Sequence, residues 1–292
     1  MKRVCVLGGS GFLGSHVVDA LTEAGHTVRI LDCRDSPYRQ LDQEVFIGDL
    51  RDSALLDRAV ESCDAVYNFA AIADLDEALN QPVETAEVNI IGNIHALEAC
   101  RRHRVERFIY ASTVYVQSRE GGFYRCSKLA AEQYVEEYHR SFGLEYTLLR
   151  YGSLYGPRSD HHNGLWRVVK EALETGRVRY EGSIEAMREY IHVQDAARAS
   201  VAALGPEFRN QHVVLTGQEP MRVLDMLKML AEILGLPQEI EFVDRKQDGH
   251  YVRTPYAYQP KLGRKFTPPM HVDLGQGLLE LIGEVQRDHA CK

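Results

Sequence analysis

Val4-Cys-Val-Leu-Gly-Gly-Ser-Gly-Phe-Leu-Gly14 decides the fold. An apolar run breaks into glycines, and an apolar-periodic segment from Phe12 to Ala24 follows. That order reads as strand, tight turn and helix. Gly8 or Gly9 supplies the sharp turn, Gly11 lets the backbone approach a pyrophosphate, and Gly14 lets the helix pack on the strand. The spacing fits G-x-G-x-x-G counted from Gly9 and G-x-x-G-x-x-G counted from Gly8. The free N–H groups and positive dipole end of the helix favour an anion there. A second strand, Thr27–Leu31, ends in Asp32. An acidic residue about 20 positions past the glycines is placed to bind a ribose 2′-hydroxyl. A bare turn would need the glycines alone; strand, helix and Asp32 together point to a dinucleotide.

Outward from this unit, strands and helices alternate. Glu44–Ile47, Ala65–Phe69, Arg107–Ala111 and Tyr146–Tyr151 read as strands. Between them lie a helix opened by Asp52 or Ser53, a long helix from Pro82 to Arg102, and another from Phe123 to Phe142. Such alternation predicts an α/β, Rossmann-type doubly wound parallel sheet. After Tyr151 the pattern changes. Gly152–Gly164 is rich in Gly, Pro, Ser, Asp and His, which marks a functional loop. Helices at Leu165–Thr175, Gln194–Leu204 and Val223–Leu234, strands at Val178–Tyr180 and His212–Leu215, and a helix after Asp273 complete the chain. The expected division is a cofactor domain over 1–151, with a returning contribution near 188–215, and a smaller mixed α/β substrate lobe mainly over 152–292.

The net charge of −8 argues against nucleic acid as a partner, since phosphate neutralisation needs clustered cations. The local run Arg101-Arg102-His103-Arg104 closes a predicted helix, where cations complement the dipole. Six cysteines without C-x-x-C spacing imply a reduced, cytoplasmic setting. No apolar run approaches the ~18 residues of a membrane span, and the first strand starts too early to leave room for a signal peptide.

The chemistry-bearing residues gather after the strand that ends in Ala111-Ser112-Thr113. Tyr124-Arg-Cys-Ser-Lys128 opens the next long helix, and residues four apart share a helical face. An ammonium near a phenol favours phenolate, lowering a pKa that starts near ~10 toward the range of a general base. A hydroxyl from Ser112 or Thr113 could hydrogen-bond the reacting oxygen. Together these groups can take a proton from an alcohol while hydride leaves its carbon. Asp160-His161-His162-Asn163 has no further ligand at a metal-site spacing, so it is read as a substrate or solvent contact and no metal is assigned. His192, in an apolar run, reads as structural.

With these residues in view, the chain resembles the extended short-chain dehydrogenase/reductases of the nucleotide-sugar epimerase/dehydratase family. The resemblance rests on Gly8–Gly14, Asp32, Gly48-Asp49-Leu50, Asn68–Ala71, Asn89 with Gly92-Asn93, Tyr110–Thr113, Tyr124–Lys128, Leu149–Tyr151, Tyr155–Arg158 and Arg188–Asp195. It implies NAD held by Gly8, Gly11, Phe12, Asp32, Asp49, Leu50, Ala70, Asn89, Tyr124, Lys128 and Tyr151. It implies Tyr124 as acid and base, Lys128 as its electrostatic partner and ribose anchor, and Thr113 (with Ser112 as the alternate) as the hydroxyl. A nucleotide-sugar substrate would meet Thr113 and Ser153, with Arg188 on its diphosphate and Arg253 or Arg245 as a second cation. The two long helices would form a homodimer interface.

Departures from the family pattern sharpen the expectation. Val114-Tyr115 stands where, by the resemblance, dehydratases and decarboxylases carry an Asp-Glu or Ser-Glu pair. Without that proton donor the resemblance favours epimerisation at C4 of a UDP-hexose or relative, through a transient 4-keto sugar. The loop between Thr113 and Tyr124 is short for the family, and Ser153 replaces a common asparagine. Dehydratase, decarboxylase or keto-sugar reductase activity is the alternative, and a non-catalytic NAD-binding sensor lies further off.

Overall fold

The computed structural model describes residues 1–41, 43–243 and 249–256. These belong to one compact unit, Met1–Gln259. The expected helix after Asp273 and the candidate Arg245 lie outside the described residues.

The order of elements follows the alternation read from the sequence. Strand β1 (Arg3–Leu7) leads through the glycine turn into α1 (Phe12–Glu23), then β2 (Thr27–Asp32) and β3 (Glu44–Ile47). Asp52 caps α2 (Ser53–Val60) by accepting from the N–H groups of Ala54 and Leu55, and β4 (Ala65–Asn68) follows. The predicted Pro82–Arg102 helix is helical throughout but not uniform. It is preceded by the short α3 (Leu75–Asn80) and divides into α4 (Pro82–Ala86), a π-helical turn (Glu87–Gly92) and α5 (Asn93–Arg102). Then come β5 (Arg107–Thr113), α6 (Gly122–Phe142) and β6 (Glu145–Tyr151).

The remaining chain builds shorter pieces: β7 (Ser153–Tyr155), α7 (Gly164–Thr175), β8 (Arg179–Glu181), β9 (Met187–Arg188), β10 (Tyr190–His192), α8 (Val193–Ala202), β11 (Gln211–Leu215), β12 (Met221–Arg222), α9 (Val223–Leu234) and β13 (Glu241–Val243). Seven strands form one parallel sheet in the order β11-β6-β5-β4-β1-β2-β3. The returning contribution is therefore β11, which pairs with β6. Three small two-stranded sheets, β7 with β10, β9 with β12 and β8 with β13, stand outside it.

Alternation along the central strands sends side chains to two cores. Leu7, Leu31, Val66, Phe108, Tyr110 and Leu148 pack on one face with α2, α5 and α6. Val4, Val6, Ile30, Tyr67, Ile109 and Leu149 pack on the other with α1 and α8. A third core joins α7 and α9 around Val178 and Leu227. Strand order reverses between β1 and β4, so a crevice opens above their carboxyl ends.

Candidate active site

A cavity of about 620 Å³ fills that crevice. Gly8, Gly11 and Phe12 line one end, Thr113, Tyr124, Lys128, Tyr151 and Ser153 the middle, and Arg179, Arg188 and Met226 the other end. The glycine turn is dictated by crowding. Gly8 has φ +76°, and a Cβ there would lie 2.5 Å from Ala70 N; a Cβ on Gly14 would lie 2.1 Å from Gly8 O. At Gly11 a Cβ would meet only Gly8 O, at 3.3 Å. No side chain caps α1, so its first turn presents backbone to the cavity through Gly11, Phe12 and Leu13. That is a cradle shaped for a pyrophosphate, and the residues fit a dinucleotide.

Asp32 ends β2 beside this turn, 8% exposed, with Oδ2 accepting from Ser10 N (2.9 Å) and Oδ1 from Arg34 N (3.2 Å). Asp49 follows β3, and the guanidinium of Arg51, 2.7 Å away, holds its carboxyl below the usual carboxylate range. Leu50 is buried against Gly92, where a Cβ would come within 2.9 Å. Ala70 abuts Gly8, and its N–H donates to Asn68 Oδ1 at 3.1 Å.

Asn89, expected against the cofactor, is committed to the protein. Its Oδ1 accepts from Ile72 N (2.8 Å), and its Nδ2 donates to Ile72 O and Ser127 Oγ (2.9 Å each). It sits in the π-helical turn, where the extra residue per turn rotates its side chain between the loop after β4 and the face of α6. It ties the loop after β4 to α6.

Neighbouring residues of a strand point to opposite faces, and this separates the two hydroxyl candidates. Thr113 hydrogen-bonds the Tyr124 phenol. Ser112 instead donates to Glu132 Oε1 at 2.5 Å. Lys128, 2% exposed, donates to Ala111 O at 2.7 Å, and its Nζ lies 5.9 Å from the Tyr124 ring centre.

The electrostatics correct one expectation. Burial pushes the Tyr124 phenol up to about 12, and the Thr113 bond only partly opposes this. Burial likewise brings Lys128 down to about 7, against the charge of Glu132. Desolvation dominates at both groups, so in the protein by itself the phenol stands above its ordinary value rather than below it as expected.

Tyr151 lines the cavity with its hydroxyl 2.6 Å from Ser200 Oγ. Ser153 Oγ lies 3.5 Å from the Tyr251 hydroxyl. Arg188 is 6% exposed; its Nη1 donates to Tyr251 O (2.6 Å) and Met187 O (2.9 Å), and its guanidinium lies 4.6 Å from the Tyr251 ring centre. Among the described residues it makes no ion pair with Glu185 or Glu189. Arg253 is exposed and is not on the cavity wall. The second arginine at that end is Arg179, between Glu171 and Glu181 at 3.5 Å each, with its Nε buried and unbonded. Its signal in the sequence, alternation over three residues, is too short to aim a side chain.

Two sets of contacts at the cavity could not be read from the sequence. Tyr115 is half-buried beside Tyr124 (ring centres 6.3 Å apart), packs on Tyr251 (4.8 Å) and meets His250 Nδ1 with its hydroxyl (2.6 Å). Arg167 pairs with Asp74 across the cavity mouth at 3.2 Å. The Asp160, His161 and His162 ligand atoms come within 4.8 Å of one another on the surface, with His162 also 3.9 Å from Glu77. His192 caps α8, as a structural residue would.

Comparisons with known proteins bear on the family and the fold. The model of the NAD dependent epimerase/dehydratase family matches residues 4–215. A putative UDP-glucose 4-epimerase of Methanocaldococcus jannaschii is 24% identical over 98% of this chain and 99% of its own length. The dTDP-glucose 4,6-dehydratase of Mycobacterium tuberculosis is 28% identical over 94% and 91%. The crystal structure of Thermus thermophilus UDP-glucose 4-epimerase in complex with NAD superimposes with a TM-score of 0.78, at 29% identity, over 90% of this chain and 95% of that one. Epimerase and dehydratase match about equally, so the family is fixed at a coarser level than the reaction. The glycine cradle, the parallel sheet and the Thr113–Tyr124–Lys128 cluster thus stand in a chain that belongs to the NAD dependent epimerase/dehydratase family.

Proposed function

We propose that this protein is a nucleotide-sugar epimerase that inverts C4 of a UDP-hexose or relative. The observation that carries the reading is the wall around Tyr124. Thr113 bonds its phenol, while the positions after Thr113 offer Val114 and the half-buried Tyr115, which desolvation keeps neutral, rather than a carboxylic acid. A site that can move a proton at one sugar oxygen, without a second acid to expel water, suits oxidation and re-reduction at the same carbon. Bound NAD supplies hydride acceptance and return, together with a positive charge.

Gly8, Gly11, Phe12, Asp32, Asp49, Leu50 and Ala70 would hold that cofactor, with Tyr151 and Lys128 beside its reactive end. Thr113 orients the sugar hydroxyl and donates to the phenolate. Tyr124 takes the hydroxyl proton and gives it back after the 4-keto sugar has turned within the cavity. Lys128, when protonated, and the cofactor's charge draw the phenol down from its buried value. Ser153 and Arg188 meet the nucleotide, and Arg179 takes the place first given to Arg253. Chain 152–256 would then serve as the substrate lobe.

Incubation with NAD and a panel of UDP-, GDP-, CDP- and dTDP-sugars, read by mass and NMR, tests the reading. A product of unchanged mass with inverted C4 is expected. Loss of water or carbon dioxide, or gain of two hydrogens, would move the protein to the dehydratase, decarboxylase or reductase branch. Among the described residues no helix is long and apolar enough to cross a membrane; the proposed setting is cytoplasmic. Val83, Ile91, Phe123 and Tyr134 are exposed on the long helices, which we assign to a homodimer contact. Sedimentation as a monomer at micromolar concentration would remove that contact.

A further inference from the structure

Three polar residues near the Lys128 turn of α6 have no part in the reaction as drawn: the buried Ser112 and Glu132 and the half-buried Arg150. Helix α6 meets the end of β5 through two adjacent polar bonds, Lys128 to Ala111 O (2.7 Å) and Ser112 to Glu132 (2.5 Å). Lys128 and Glu132 lie one helical turn apart on the same face, 2% and 1% exposed. Arg150, paired in register with Ser112 across β5 and β6, grips Glu132 with Nε (2.9 Å) and Nη2 (2.7 Å). The same Nη2 meets His212 Nδ1 at 2.8 Å, and His212 Nε2 lies 2.7 Å from Glu136. A guanidinium only donates, so Nδ1 accepts and neutral His212 donates through Nε2 to Glu136.

We propose that Glu132 is a positioning residue for the reaction, holding Lys128 in place and protonated beside Tyr124, while Arg150 and Ser112 hold Glu132. The inference rests on the roles proposed above for Tyr124 and Lys128. A buried ammonium without a counter-charge gives up its proton. Around Lys128 stand Glu132 and the rings of Tyr110 (4.7 Å) and Tyr124 (5.9 Å). Burial keeps both phenols neutral, so Glu132 is the anion that acts on Lys128 among the described residues. On its other side Glu132 faces Arg150 and Ser112, and its charge reaches Tyr110 and Tyr146. The bidentate guanidinium gives each carboxylate oxygen a charged donor.

The test is the pH profile of turnover for wild type, Glu132→Gln and Glu132→Asp. Loss of the charge lets Lys128 release its proton earlier. The alkaline limb of the Gln variant should move down by about one pH unit, a ~5-fold loss of kcat at the pH of the wild-type limb that approaches ~10-fold above it, with KM within ~2-fold. Glu132→Asp keeps the charge and should restore most of the limb. Because Gln leaves the half-buried Arg150 without its carboxylate partner, the double variant Glu132→Gln/Arg150→Gln serves if the single one does not fold. A folded Gln variant with an unmoved limb overturns the inference, as does failure of all three variants to fold, which would make Glu132 purely structural. Tyr124→Phe is measured alongside. If it still turns over, the acid/base reading has failed; if it is inactive while the limb stays put, only the role of Glu132 has failed.

Discussion

The two walls of the cavity are built by different means. On one wall the functional side chains sit where long elements end. Thr113 closes a seven-residue strand, and Tyr124 and Lys128 open a 21-residue helix. On the other, Arg188 and Arg179 ride on strands of two and three residues, and Tyr251 lies outside the strands altogether. A strand end inside a seven-stranded sheet fixes direction through its register and its core contacts, so chemistry that needs positioning belongs there. A wall made of small sheets and loops can be reshaped without touching the core, which suits substrate choice. The difference predicts that changes on the first wall act on kcat and changes on the second act on KM.

The largest test of that division is Tyr124→Phe. Removing one oxygen from the first wall should lower kcat by ~10²–10⁴-fold, the usual range for a lost acid or base. Binding of the nucleotide sugar should stay within ~3-fold, because the ring and its packing on Tyr115 remain. Steady-state turnover and calorimetric binding read the two effects apart. A variant with undiminished turnover would leave the first wall without its chemistry.

The same difference explains what the sequence disclosed. The parallel sheet, the glycine turn and the Tyr124–Lys128 face were legible because helical and strand periods persist long enough there to aim side chains. The choice between Ser112 and Thr113 needed only strand alternation, once the end of β5 was known. Asn89 came from the resemblance alone, and its bonds to Ile72 and Ser127 had no sequence signal, because they depend on a π-helical turn that reorients the residues it carries. The phenol shift was misjudged because attraction can be counted in sequence and desolvation cannot. Arg253 was chosen for charge and position in the chain, yet it is exposed, whereas Arg179 reaches the cavity from a strand with no legible period.

A second, smaller set of effects probes the other wall. Arg188→Met should raise KM by ~10–100-fold with kcat within ~3-fold, in line with one or two charge-assisted hydrogen bonds to a diphosphate. Arg179→Gln should cost ~3–10-fold in KM, because its side chain is 38% exposed and already shared with Glu171 and Glu181. Arg253→Gln should change KM by less than ~2-fold. A kcat collapse in the Arg188 variant would mean that both walls position the chemistry, and the division drawn here would not stand.

The smallest expected effect is on stability, and it separates the walls in a different way. Lys128 titrates near 7 in the folded chain against an ordinary 10.5. Between those values the unfolded chain holds a proton that the native chain lacks, so the native state gains stability as pH rises. The contribution is fully present above the unfolded value and is lost as pH falls through about 7, where a buried ammonium must be kept. Lys128→Met is close in volume and carries no charge, so it should raise Tm at pH 6.5 by roughly 2–6 °C, with the gap closing toward pH 10. The same variant should be inactive. A residue whose removal strengthens the fold and abolishes turnover is held there by function at the expense of stability. Thermal scans at pH 6.5 and pH 10 decide the point. A lower Tm at pH 6.5 would mean that the bond to Ala111 and the charge of Glu132 outweigh burial, and that the rigid wall carries no functional strain at Lys128.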